Sequence, residues 1–361
     1  MKFFNRFTSN TIAGSANQHT FTMPQDETHT GRVYYRISHG GTFAYSLLFS
    51  NTIDSTYADG SISWRNLVCP SWRIHEARIG RSRTAQPEEN ALPVALTFDG
   101  SAEKDVHPGE FFHSDPVTMT FEAGEYLCLE MTFSGTILPY HEESLLPIFI
   151  RQNSGWQYDK HMPLPGMVGC DRPVKKRIAF AGDSITQGIG TEINSYQHWN
   201  AVTAQKLDEG FACWNLGIGY ARANDLATGG AWMYKLKHND ACVLCMGVND
   251  ICRGRTAEEI KADLSHIVDL LHQAGQTVVV QTVPPFNYTE ERITVWQEVN
   301  RFIRDELSQR VALVFDDAAL LKQDADHPWN ARFGGHPNAE GCALWGEGLH
   351  RALISSGILT E

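Results

Sequence analysis

The chain lacks any uninterrupted apolar run approaching the roughly 20 residues needed to cross a bilayer. Positive charge is also scarce: 30 Lys and Arg stand against 42 Asp and Glu, for a formal net charge of -12. An acidic surface argues against nucleic acid or anionic membrane as partner and favours a small or neutral substrate. The opening Met1-Lys2-Phe3-Phe4-Asn5-Arg6 shows neither the apolar stretch nor the small-residue cleavage site of a secretion signal. A cytoplasmic protein is therefore expected, and its eight cysteines read as free thiols rather than four bridges. Cys242 and Cys245 form a C-x-x-C, but no second pair follows at zinc spacing. They lie inside the apolar run 241–246, so they read as buried strand residues. Nothing in the pattern calls for a metal or an organic cofactor.

At 361 residues, two domains are the natural expectation. Residues 1–150 carry short β-rich runs, at 32–37, 45–50, 92–98 and 125–133. Turn formers separate them: Gly40-Gly41, Asp59-Gly60, Asp99-Gly100 and Pro108-Gly109. No long helical stripe appears, which predicts an antiparallel β-sandwich of jelly-roll-like type. Residues 151–175 are rich in Gly, Pro and polar side chains and read as a linker.

From 176 to 361 the periodicity changes. Apolar strand candidates at 177–182, 213–217, 241–247, 277–283 and 311–315 alternate with helical patterns. Ile260, Leu264, Ile267 and Leu271 share one helix face, opened by a Thr256/Glu259 capping box and closed by Gly275. Trp296, Val299, Ile303 and Leu307 mark another helix. Buried strands alternating with helices predict an α/β domain, a parallel sheet covered on both faces. Function in such sheets gathers at the loops beyond the C-terminal strand ends.

Those loops hold the residues that can carry chemistry. The first strand runs into Gly182-Asp183-Ser184-Ile185-Thr186-Gln187-Gly188, placing a serine at a strand-to-helix turn. Serine is a weak nucleophile that needs a base. The second strand ends in Asn215-Leu216-Gly217-Ile218-Gly219-Tyr220, where tight backbone can present an N–H. The third ends in Gly247-Val248-Asn249-Asp250, whose Asn amide can donate to an oxyanion. Near the C-terminus, Gly334-Gly335-His336-Pro337-Asn338 precedes a helix. Taken singly, the serine is a helix cap, the Asn an Asx turn and the His one of fifteen. Their order at successive strand ends is what gives them meaning.

Together the four segments resemble the SGNH (GDSL-like) hydrolase superfamily, with its G-D-S, N-x-G, G-x-N-D and terminal H-P blocks, over residues 177–355. The resemblance implies a flavodoxin-like three-layer fold and ester hydrolysis. It implies Ser184 as nucleophile and oxyanion donor, Asn249 as side-chain donor and His336 as base. The third oxyanion donor falls on Tyr220, where the family has glycine, or on Gly219 beside it. The family's Asp three residues before the His is replaced by Phe333, leaving Asp324, Asp326, a backbone carbonyl or nothing strong to orient His336. A Ser-His dyad is therefore expected. Asp324-Ala325-Asp326-His327-Pro328 also matches D-x-x-H-P, but the H-P-N-x-x-G continuation occurs only at His336. Asp183 and Asp250 are expected to brace their loops.

Segments 48–51 and 114–117 resemble β-sandwich domains that precede SGNH domains, as in two-domain acetylxylan esterases. That layout implies an acetylated carbohydrate, a small-molecule or oligosaccharide ester, as substrate. A lipid esterase or thioesterase on the same machinery, or a glycan-binding protein without turnover, are the alternatives.

Overall fold

The computed structural model describes residues 2–359 apart from 15, 26, 55–66 and 88–91, so the turn expected at Asp59-Gly60 lies outside the described residues. The chain divides into two compact units, Met1–Pro173 and Val174–Glu361.

The first unit is built around two large antiparallel sheets, with a two-stranded ribbon of His19–Thr22 and Ile137–Tyr140 beside them. In one, strand Gly41–Ser50 pairs with Met167–Cys170, Phe111–His113 and Val117–Phe121. In the other, His29–Arg36, Tyr126–Gly135 and Trp72–Ser82 form the centre. Alternation selects the inner faces: Val33, Tyr35, Leu127, Leu129, Met131 and Ile79 are fully buried from one sheet, and Leu47 and Phe49 from the other. The Trp72 and Phe112 rings meet edge-on at 6.2 Å between the sheets. The expected sandwich is therefore present.

Residues 151–175 are not a linker. Gly155–Tyr158 pairs with Ile148–Gln152, Met167–Cys170 pairs with Gly41–Ser50, and the division between units falls after Pro173. Glycine and proline mark the turns of a hairpin as readily as a connection between domains; Gly155, at φ +106°, makes such a turn.

The second unit contains a five-stranded parallel sheet in the spatial order Phe211–Gly217, Lys176–Gly182, Ala241–Cys245, Thr277–Gln281, Leu313–Phe315. This is the 2-1-3-4-5 order of flavodoxin-like sheets, with its crevice between the first and third strands. Cys242 and Cys245 are buried in the third. Helix Ala257–Gln273 carries the expected capping box and buries Ile260, Leu264, Ile267 and Leu271, and Gly275 follows at φ +77°. Helix Glu290–Asp305 buries Trp296, Val299 and Ile303. No helix among the described residues is long and apolar enough to cross a membrane.

Helices Trp199–Lys206 and Ala339–Ser355 pack closely, because a Cβ at Gly346 would fall on the Trp199 carbonyl. Beside that contact Trp199 and Trp345 stack 4.9 Å apart, both fully buried, and Trp345 Nε1 donates to Gln281 Oε1 at 2.6 Å. Trp345→Ala is expected to destabilise this unit by about 3–5 kcal/mol, the usual cost of emptying a large aromatic site. Urea unfolding followed by circular dichroism measures it; an unchanged midpoint would refute the assignment.

Candidate active site

The turn that carries Ser184 fits a gap too narrow for side chains. A Cβ at Gly182 would fall on Thr186 Oγ1 and 2.6 Å from the Cys245 carbonyl. A Cβ at Gly217 would fall on the Gln187 amide. Glycine at both strand ends lets the short helix Ser184–Gln187 settle against two neighbouring strands. Asp183 caps that helix, its Oδ1 accepting from Ile185 N at 3.0 Å. Buried amides then hold it from behind: Asn200 Nδ2 donates to the Thr186 carbonyl and Asn215 Nδ2 to the Gln187 carbonyl at 3.2 Å. Asn215 Oδ1 also accepts from Gly217 N at 2.9 Å. Ser184, 8% exposed, thus sits on a rigid mount.

Across the site, Ser184 Oγ lies 2.8 Å from His336 Nε2. Burial alone pushes the His336 pKa below the ordinary imidazole value, because it penalises the charged ring. A neutral imidazole can accept the serine proton at this distance. The loop bearing His336 is held by backbone fit. Gly190, at φ +103°, faces it so closely that a Cβ would stand 2.6 Å from the Pro337 carbonyl and 2.8 Å from that of His336. Asn338 caps the next helix through Gly341 N at 3.0 Å.

Phe333 packs instead against Gly341, where a Cβ would come within 2.6 Å of its own Cβ. Neither proposed orienting carboxylate reaches His336. Asp324 Oδ1 accepts from His327 N at 2.7 Å and lies 3.2 Å from His327 Nδ1, a closed exposed turn. Asp326 is exposed and makes no hydrogen bond to His336. Both belong to the loop of His327, and its local D-x-x-H contact consumes the carboxylate. The structure brings His336, not His327, to Ser184.

The third strand ends at Cys245, with three residues between it and Asn249, which sits in the first turn of helix Val248–Cys252 rather than on the strand. Its Nδ2 donates to the Ala221 carbonyl at 3.0 Å and lies 3.4 Å from Asp183 Oδ2. One side chain thereby joins the loops of three strands. Asp250 is fully buried and accepts from Ala223 N at 2.8 Å and Arg255 Nη1 at 2.7 Å. Burial raises its pKa and those two donors oppose the rise. Like Asp183, it braces backbone.

The two amides left open by the sequence differ here. Gly219 N donates to Gln187 Oε1 at 2.8 Å. Tyr220 follows with φ +60°, a left-handed conformation costly for a non-glycine residue. Gln187, Gly190 and Phe286, whose ring lies 5.4 Å from the His336 ring, are site residues that the sequence did not single out. Gln187 and Gly190 adjoin the serine motif, and their neighbourhood was the available signal; Phe286 had none.

Residues 180–344 match the model of the GDSL-like Lipase/Acylhydrolase family. No curated protein matches the chain. Among solved structures, a family two carbohydrate esterase from Cellvibrio japonicus aligns over 98% of both chains at 12% identity and a TM-score of 0.41. A carbohydrate acetylesterase family member from Sinorhizobium meliloti covers 50% of this chain and 98% of its own, at 17% identity and a TM-score of 0.42. A lipolytic protein of the G-D-S-L family from Veillonella parvula DSM 2008 covers 49% and 98%, at 17% identity and a TM-score of 0.39.

Because burial is the cause of the shift, the His336 ring is expected to titrate below about 6.5 in histidine-labelled NMR spectra. Ser184→Ala should leave that midpoint depressed. A midpoint above the free value would mean that a carboxylate pairs with the ring.

Proposed function

For the GDSL-like lipase/acylhydrolase domain that this chain carries, we propose a serine esterase acting on short-chain, acetyl esters of carbohydrate. The observation that carries it is the 2.8 Å contact between Ser184 Oγ and Nε2 of a half-buried His336. His336 takes the Ser184 proton as Oγ attacks the ester carbonyl. The resulting imidazolium returns that proton to the departing alcohol, and water delivered through the same base releases the acid.

The tetrahedral oxyanion faces three donors. The Ser184 amide is the first of its helix and has no intrahelical acceptor. Asn249 keeps one hydrogen on Ala221 and turns the other from its long 3.4 Å contact with Asp183 to the oxyanion. The third is a backbone amide of the Gly219-Tyr220 turn, where Gly219 N also donates to Gln187 Oε1. A left-handed backbone there is the strain expected where an amide is aimed at a reacting atom. Asp324 and Asp326 take no part, and the pair works as a dyad.

The family match supports acyl-ester hydrolysis, and the sandwich unit ahead of the hydrolase unit supports carbohydrate as the alcohol.

Ser184→Ala and His336→Ala should each lose several orders of magnitude in kcat, while His327→Ala, Asp324→Asn and Asp326→Asn stay near wild type. Asn249→Ala should lower kcat by roughly 10²–10³. The kcat/KM profile should rise with pH through a midpoint below about 6.5, since only neutral His336 is a base and its pKa is depressed. Full activity in Ser184→Ala would end the serine-esterase reading.

A panel of p-nitrophenyl esters tests the acyl group, and acetylated xylooligosaccharides test the alcohol. Acetate should be turned over and octanoate should not. Preference for long acyl chains would favour a lipid esterase or thioesterase, and binding of glycan without turnover a lectin-like protein.

A further inference from the structure

Among the described residues no carboxylate is bonded to the His336 imidazole, which still has to present Nε2 to Ser184 in one orientation. We propose that Phe286 is the positioning residue that does this, its ring edge-packed on the imidazole in place of the missing acid. This rests on His336 being the base.

The Phe286 and His336 rings are 5.4 Å apart with planes at 80°, an edge-to-face pair. Gly335, immediately before His336, makes room: a Cβ there would stand 3.0 Å from the Phe286 ring. The ring is carried by a stiff loop. Pro284 and Pro285 precede it, and the Tyr288 hydroxyl donates back to the Pro284 carbonyl at 3.2 Å. Asn300 clamps Val283 through both its amide and its carbonyl, at 2.7 and 2.9 Å, and Trp296 Nε1 adds 2.8 Å to the same carbonyl. Asn287 is held at φ +54° by its amide on Trp329 O and its Oδ1 on Ala331 N. Asparagine adopts this left-handed turn readily, and its two bonds fix the chain immediately after the ring.

The backbone that carries the imidazole is held separately, where Gly190 closes on the His336 and Pro337 carbonyls. Of the titratable groups on the surrounding elements, Asp183 accepts from Ile185 N, the Tyr288 hydroxyl donates to the Pro284 carbonyl and the Cys342 thiol to the Pro337 carbonyl, and none of these three bonds is to the ring. Packing therefore does two things: it restricts the imidazole's rotation, and it keeps water from the ring, which is the cause of its depressed pKa. A carboxylate partner would raise that pKa, so the two devices leave opposite signatures.

Phe286→Leu keeps the bulk and removes the ring; Phe286→Tyr keeps the ring; Gly335→Ala pushes the ring away with Phe286 in place. Steady-state kinetics with p-nitrophenyl acetate and the NMR titration of His336 read all three. Phe286→Leu and Gly335→Ala should lower kcat on the order of 10²-fold with KM little changed, the scale of a misplaced catalytic group. Both should move the His336 midpoint upward toward its free value, and Phe286→Tyr should resemble wild type. If Phe286→Leu does not fold, Gly335→Ala carries the test. An unchanged kcat and midpoint, or a loss confined to KM, overturns the inference. Wild-type turnover that persists in Ser184→Ala overturns the underlying reading instead.

Discussion

The helix turn Ser184–Gln187 packs against the ends of strands Lys176–Gly182 and Phe211–Gly217 at a separation that only glycine permits. Most of the site follows from this close approach. With the turn seated, Ser184 stands at the crevice between the first and third strands. Gln187 reaches the Gly219 amide, and Asn200 and Asn215 close the buried carbonyls behind it. A buried carbonyl without a donor costs about 1–3 kcal/mol, so the asparagines are what makes a polar turn tolerable inside an apolar shell. In the proposed esterase the same contacts would fix the oxyanion side before any substrate arrives, which is the condition for electrostatic stabilisation to act without reorganisation.

The carboxylates near the serine serve the loops. Asp183 caps a helix, and Asp250 collects a backbone N–H and a guanidinium while fully buried. Asp317, also fully buried beneath the sheet edge, accepts from Thr282 and is pushed well above the usual carboxylate range by burial. None of these acids touches His336. The histidine loop meets glycine-enabled close approaches at Gly190 and Gly335 and an edge-on aromatic ring, and in the proposed dyad this packing takes over a task that a charge performs in a triad. Burial lowers the His336 pKa where a paired carboxylate would raise it, which keeps the ring neutral at lower pH.

Motifs whose chemistry is local were legible in the sequence. The Gly182-Asp183-Ser184 turn, the Asn249 helix start and the His336-Pro337-Asn338 cap each depend on neighbours within a few residues, and each stands where its spacing put it. So do the helix of Ile260 and Leu271 and the five parallel strands, because burial on both faces imposes the apolar runs. The 151–175 segment misled because composition reports turns and says nothing about whether the pieces between them find partners 100 residues away.

The sequence by itself determined the order of strands and helices, the serine, the asparagine and, through the H-P-N-x-x-G context, which histidine to prefer. Only the tertiary structure decided which ring packs on that histidine and which amide is already occupied. Those are contacts between residues up to about 50 positions apart or between loops of different strands. Their partners are selected by distance in space, which the side-chain alphabet along the chain does not encode; Phe286 becomes meaningful only once Gly335 admits its ring beside His336.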